Sequence, residues 1–266
     1  MSVPRKTLNP TPLKPCVYII GAGPGDPELL TIKAYRILTQ ADIIVYANTL
    51  VPPEILIDTR PDAQLVPTGN QTLEEILSVM IAGVRAGKSV VRLHSGDLSL
   101  YSAIHEQVLA LTEANIAVEL IPGIGVFQAA AAKIGTELTI PDLVQTIILT
   151  RISGRASPVP QSEELGSLAA HQASLCLYLA ARHVDAAQGK LLEHYPPHTP
   201  VAICFRIGWP EEKIWIVPLE SMATVTQQEN LIRTTLYIIS PALGANRGDR
   251  SRLYHPQYSH LFRDRI

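Results

Sequence analysis

The chain has 266 residues, 47% of them hydrophobic and only 17% charged, a composition that supplies a packed core and excludes a disordered polymer. A formal net charge of -2 offers no basic field for nucleic acid or for an anionic membrane. The length suits one large α/β domain or two of ordinary size, and the polar, proline-bearing start MSVPRKTLNPTPLKP has neither a signal-peptide core nor a membrane span, so the expected home is the cytoplasm.

After a tail at residues 1–15, the segment 16–121 alternates in character. CVYII reads as a strand, Pro27 to Gln40 as a helix, DIIVYA as a strand, Thr72 to Ala86 as a helix, SVVRLH as a strand, Tyr101 to Ala114 as a helix and IAVELI as a strand. This alternation predicts βα units and a mainly parallel sheet. Asp26 followed by Pro27, and Thr72 followed by Glu75, are helix-start signals. Beyond IPGIGVFQAAAAKIG, strand-like runs recur at QTIILTR, ASLCLYLA, PVAICFR, KIWIVP and TTLYIIS, with helices near Glu163 to His171 and His183 to His194. The short link IGWPEE predicts a hairpin and therefore antiparallel pairing. The expected division is an N-terminal α/β domain at 16–123, a C-terminal α/β domain with a mixed sheet at 124–242, and an arginine-rich tail at 243–266. Cys16, Cys176 and Cys204 lie in or beside strand-like runs and are expected to be buried, unbonded thiols.

The turn GAGPGDPELLT invites comparison with the dinucleotide fingerprint G-x-G-x-x-G, but Asp26 holds the sixth position and Pro24 removes an N–H from the turn. A carboxylate would sit where a phosphate belongs, and no acidic residue closes the second strand, so pyrophosphate binding is rejected. What remains is a tight turn at the C-terminal edge of a parallel sheet, where open α/β proteins bind ligands.

A second turn of this kind is RLHSGDLSLYSAI. With GAGPGDPELLT, SGD, IPGI, ELTIPDLVQTIILTR, SGR and WPEEKI in place, the chain from residue 16 to about 242 resembles the tetrapyrrole (corrin/porphyrin) methylases. The middle segment LTIPDLVQTIILTRISGR with WPEEKI is most like members that methylate precorrin-4 or cobalt-precorrin-4 at C11 in cobalamin biosynthesis. The resemblance implies two α/β domains with a cleft between them, a homodimer, and S-adenosyl-L-methionine as cofactor. It also implies cofactor contacts at Pro24, Gly96, Asp97, Leu100, Tyr101, Leu179, Ala202 and Thr235. Two departures touch this pattern: Leu98 stands where proline is usual, and Gly125 and Val126 where Thr or Ser is common. A lost hydroxyl there removes a hydrogen bond of about 0.5–1.5 kcal/mol.

Methyl transfer to carbon asks for alignment and exclusion of water, which suits a site of backbone and apolar groups. A tetrapyrrole rich in acetate and propionate groups calls for guanidinium groups, and Arg151, Arg155 and Arg206 follow strand ends. Asp97 has two readings, attraction of the positive cofactor and capping of the next helix. His94, Asp26 and Asp142 are respectively explained as a satisfied core histidine, a helix cap and a turn former, so no general base is assigned. No zinc spacing is present, and any cobalt would arrive within the substrate. The alternatives are methylation at another ring position, a relative acting on diphthamide or ribosomal RNA, against which the charge weighs, and a tetrapyrrole-binding protein without turnover.

Overall fold

The computed structural model describes residues 12–154, 158–244 and 259, and the chain divides into two compact units, Met1–Val126 and Phe127–Ile266. Nearly all of the expected C-terminal tail lies outside the described residues.

In the first unit, strands β1 (Val17–Gly21), β2 (Ile43–Tyr46), β3 (Gln64–Pro67), β4 (Val90–His94) and β5 (Val118–Ile121) form one sheet ordered β3-β2-β4-β1-β5. Every pair is parallel. The central strands β1 and β4 are buried at every position, which is why β1 reads as an unbroken apolar run and β4 as one interrupted only by Arg92 and His94. One face packs on helix α1 (Ile32–Leu38) through Ile20, Ile44, Leu93, Ala34 and Ile37. The other packs on α2 (Leu73–Arg85) and α3 (Ile104–Glu113) through Ile19, Val45, Met80 and Leu111. Each of the Ile, Val, Leu and Met side chains among these, fully buried, contributes about 1.5–3 kcal/mol relative to exposure. Strand β3 is an addition to the expected elements; it is a mostly exposed edge strand and so carries little apolar signal.

Two helix starts differ from expectation. The segment from Pro27 begins as a single 3-10 turn, with the Glu28 N–H donating to Asp26 at 2.9 Å, and Leu30 then turns extended (φ -63°, ψ 137°). Thr31, accepting from the Ala34 N–H at 3.2 Å, is the cap of α1. Helix α3 begins at Ile104 rather than Tyr101, because Tyr101 (φ 51°) and Ala103 (φ 50°) are both left-handed. The Thr72–Glu75 capping box is present, its backbone N–H groups donating at 3.3 and 2.8 Å.

The second unit opens along α4 (Val126–Ile134) and builds a mixed sheet from β6 (Ile147–Arg151), β7 (Ser174–Tyr178), β8 (Pro200–Phe205), β9 (Lys213–Pro218) and β10 (Thr235–Ile239). The order is β6-β7-β10-β8-β9; β6 and β7 are parallel and the other pairs antiparallel, with IGWPEE turning the β8–β9 hairpin. Helices α5 (Leu165–Ala169), α6 (Val184–Leu192) and α7 (Met222–Gln228) bury Leu165, Leu191 and Met222 with Leu175, Leu177 and Tyr237. Helix α7 is an addition to the expected elements, since MATVTQQ is too short to display a period. All three cysteines are free and buried, and burial pushes the Cys176 and Cys204 thiols up to about 12.

Candidate functional site

Three loops leave the C-terminal edge of the first sheet, after β1, β4 and β5, and their backbones interlock. The Gly23 N–H donates to Gly96 O at 3.1 Å, the Gly96 N–H returns to Gly23 O at 2.7 Å, and the Ala22 N–H donates to His94 O at 2.7 Å. Glycine is required here for two reasons. A Cβ on Gly21 would stand 2.6 Å from Gly96 O, and one on Gly123 2.7 Å from Gly21 O, so these chains approach more closely than any side chain allows. Gly96 instead needs its positive φ (69°), and the space beside its Cα is open to 4 Å.

Asp97 ties this arrangement together. One carboxylate oxygen accepts from the Ser99 N–H at 2.9 Å and from the Ser99 hydroxyl; the other accepts from the Gly123 N–H at 2.9 Å. Partial burial alone would raise its pKa, but the hydrogen bonds from Ser99 and Gly123 outweigh it and hold the carboxyl below its ordinary value. Asp97 therefore joins the second loop to the third and does not cap α3, whose N-cap is Ala103 with no side-chain hydrogen bond. Pro24 is buried in the first loop, Leu100 is partly buried, and Tyr101 is 46% exposed.

Beneath the loops, β4 turns two polar side chains toward α2 and α3. Arg92, 6% exposed, donates to Gln107 Oε1 (3.2 Å), Thr68 Oγ1 (3.3 Å) and Val45 O (3.5 Å), all neutral acceptors. Burial lowers its pKa to about 10, so it stays charged at neutral pH. His94 is buried, as expected of a core histidine, yet its Nε2 has no hydrogen-bond partner. Burial first, then the Arg92 charge, push it down to about 3 against a raising contact from Gln107, leaving a neutral ring. Asp26 caps its turn, and Asp142 (φ 60°) forms one. Among the described residues no group of three or more His, Cys, Asp or Glu is placed to hold a metal, and no helix is long and apolar enough to cross a membrane.

In the second unit, register brings several of the expected residues to one edge of the sheet. Arg151 ends β6 opposite Tyr178, Leu179 follows β7, Thr235 opens β10 opposite Phe205, and Arg206 follows β8. Left-handed backbone is concentrated at this edge, at Leu179 (φ 55°), Arg206 (φ 47°) and Thr234 (φ 55°), and the Arg206 N–H donates to Thr234 O at 3.0 Å. Leu179 is 64% exposed. Arg206 lies over the Phe205 and Trp209 rings at 5.3 and 5.0 Å and pairs with Glu211 at 3.1 Å, so an incoming carboxylate would compete with Glu211. Arg151 donates to Pro158 O at 3.4 Å. Ala202 is apart from this group, fully buried in mid-strand between Ile238 and Ile216. Arg155 lies outside the described residues.

The sequence profile of the Tetrapyrrole (Corrin/Porphyrin) Methylases matches residues 16–223. The chain belongs to this family. It is 40% identical over 248 residues to the cobalt-precorrin-4 C(11)-methyltransferase of Methanocaldococcus jannaschii, covering 93% of this chain and 95% of that one. It is also 40% identical over 247 residues to the precorrin-4 C(11)-methyltransferase of Pseudomonas aeruginosa, covering 93% and 98%. Among solved structures, a cobalt precorrin-4 methyltransferase superposes with a TM-score of 0.83 at 37% identity, covering 86% of this chain and 96% of that chain. The uroporphyrin-III C-methyltransferase of Thermus thermophilus, complexed with S-adenosylhomocysteine, gives 0.72 at 27% identity, covering 86% and 99%.

For a tetrapyrrole methylase, the leucine at 98 has a plain structural role. Its side chain is 6% exposed and packs in the α2–α3 core, so the loop is anchored by burial.

Proposed function

We propose that this protein transfers a methyl group from S-adenosyl-L-methionine to C11 of precorrin-4 or cobalt-precorrin-4 in cobalamin biosynthesis. The observation that carries this reading is the gradient of similarity among solved structures: 37% identity and a TM-score of 0.83 to a cobalt precorrin-4 methyltransferase against 27–30% and 0.71–0.72 to a uroporphyrin-III methylase, with 40% identity to curated C11-methyltransferases. We assign Pro24, Gly96, Asp97, Leu100, Tyr101, Leu179 and Thr235 to the cofactor and leave Ala202, which has no exposed surface, to the sheet core. The open space beside Gly96 and the exposed Tyr101 and Leu179 suit a ligand held by backbone and apolar surface. The cofactor supplies an electrophilic methyl; the chain's own task is to orient the two reactants and exclude water. Among these, Asp97 acts on the cofactor through the loops it shapes, its oxygens accepting from Ser99 and Gly123. Arg151, Arg155 and Arg206 are assigned to substrate carboxylates, and the working form is a cytoplasmic homodimer.

Incubation with S-adenosyl-L-methionine and each form of the substrate tests the reaction. The expected product is heavier by one methyl, located at C11 by NMR; no product from either form refutes the reading. Supplying the metal-free and cobalt forms side by side assigns the natural substrate, because relatives named for each are equally identical to this chain. Light scattering of the purified protein checks the dimer.

A further inference from the structure

The loop from Ser95 to Ala103 carries four of the residues assigned to the cofactor, and its shape is costly. Within it Gly96, Tyr101 and Ala103 all have positive φ, a conformation that is disfavoured for the two non-glycine residues. Asp97 fixes the first half of the loop through Ser99 and Gly123. The second half is held from below. Gln107, 4% exposed on α3, donates its Nε2 to Ala103 O at 3.0 Å while its Oε1 accepts from Arg92 Nε at 3.2 Å.

The direction of these bonds is forced by chemistry. A guanidinium has only donors, so the Gln107 amide must turn its oxygen to Arg92 and its N–H to Ala103. The same logic sets Thr68, whose hydroxyl accepts from Arg92 and donates to Tyr46 O at 3.2 Å. Arg92 therefore binds the ends of β2 and β3 and the far side of the Ser95–Ala103 loop to one buried point. A buried cation without a carboxylate partner is expensive, and a merely structural position would be filled more cheaply by an apolar side chain.

We infer that Gln107, oriented by Arg92, is a positioning residue that holds Leu100 and Tyr101 in the cofactor-binding shape. This rests on the cofactor assignment above. Neither residue touches the cofactor in this account; they act through the Ala103 carbonyl.

Gln107→Glu separates positioning from stability, because a carboxylate still accepts from Arg92 but has no N–H for Ala103. Its melting temperature is expected to stay level or rise, because the new carboxylate pairs with the buried Arg92, while S-adenosylhomocysteine binds about tenfold more weakly by calorimetry, the loss of roughly one buried hydrogen bond. In turnover, KM for S-adenosyl-L-methionine rises by about the same factor and kcat at saturation changes less than about threefold, the pattern of lost ground-state binding. Gln107→Met, which loses both bonds, is expected to lose the same affinity and some stability as well. Wild-type affinity and KM in Gln107→Glu, or a lowered melting temperature with unchanged affinity, overturns the inference alone. A wild-type protein that binds no S-adenosylhomocysteine overturns the cofactor assignment first, and this inference with it.

Discussion

The two units shape the loop-bearing edges of their sheets by different means. In the first, three loops are joined through backbone groups, and glycine is indispensable because the chains nearly touch. In the second, the edge is shaped by left-handed backbone at ordinary residues, Leu179, Arg206 and Thr234, a device the first unit adds to its glycines at Tyr101 and Ala103. The glycine crossing tolerates almost no added volume; the left-handed side-chain positions tolerate changes of side chain but store conformational energy. A site made of backbone is fixed by sterics, and one made of strained side chains can be tuned residue by residue.

This contrast breaks most visibly at Gly123. Gly123→Val places atoms against Gly21 and Gly96 and is expected to cost more than about 3 kcal/mol by denaturant unfolding and to abolish S-adenosylhomocysteine binding. Gly154→Ala in the second unit, where a Cβ meets nothing within 4 Å, should stay within about 0.5 kcal/mol of wild type. A mild Gly123→Val would show that the loops can spread.

The next effect is acid sensitivity. His94 has its folded pKa depressed from 6.5 to about 3, so the unfolded chain takes up the extra proton between these values. Stability is therefore complete above the unfolded pKa and lost as pH falls toward the folded one, by about 2 kcal/mol on going down to about pH 5. Urea melts across this window should flatten by that amount in His94→Leu; an unchanged slope would mean that the ring finds a partner when charged.

Smaller still is Asp97→Asn. Only one oxygen remains to accept, from Ser99 or from Gly123, and the expected loss is about 1–2 kcal/mol of stability with cofactor affinity reduced roughly tenfold. Affinity lost without stability would return Asp97 to a direct role on the cofactor. Leu179→Gly should be nearly neutral in stability, because relief of left-handed strain offsets glycine's greater entropy loss to within about 1 kcal/mol. Its cofactor affinity should still fall, since the exposed leucine surface is gone; wild-type affinity would remove Leu179 from the pocket.

The first unit was largely legible because its rules are local. Apolar runs marked β1, β2, β4 and β5, and Pro, Gly and Asp marked the turns between layers. Edge strand β3 was not, since an exposed strand has no hydrophobic signature. The break at Leu30 was hidden because a helix-compatible run gives no sign that a second cap, Thr31, will win. In the second unit the strands and the hairpin were readable, but the left-handed residues were not, because strain at Leu179 or Arg206 comes from tertiary context. Arg92 did leave a trace. A charge in the middle of SVVRLH, on a strand buried on both faces, contradicts the run around it, and such a contradiction marks a residue with a task.

The strand order of the first sheet also has a consequence during synthesis. Val17 of β1 pairs with Val90 and with Val118, so the central strand emerges early and waits for two later partners. Until β5 leaves the ribosome, VYIIG is an unpaired apolar edge, a target for chaperones and a hazard for aggregation. Gly123 follows β5, so the closing of the three loops belongs to the last step in assembling the first sheet and reports that this sheet is complete.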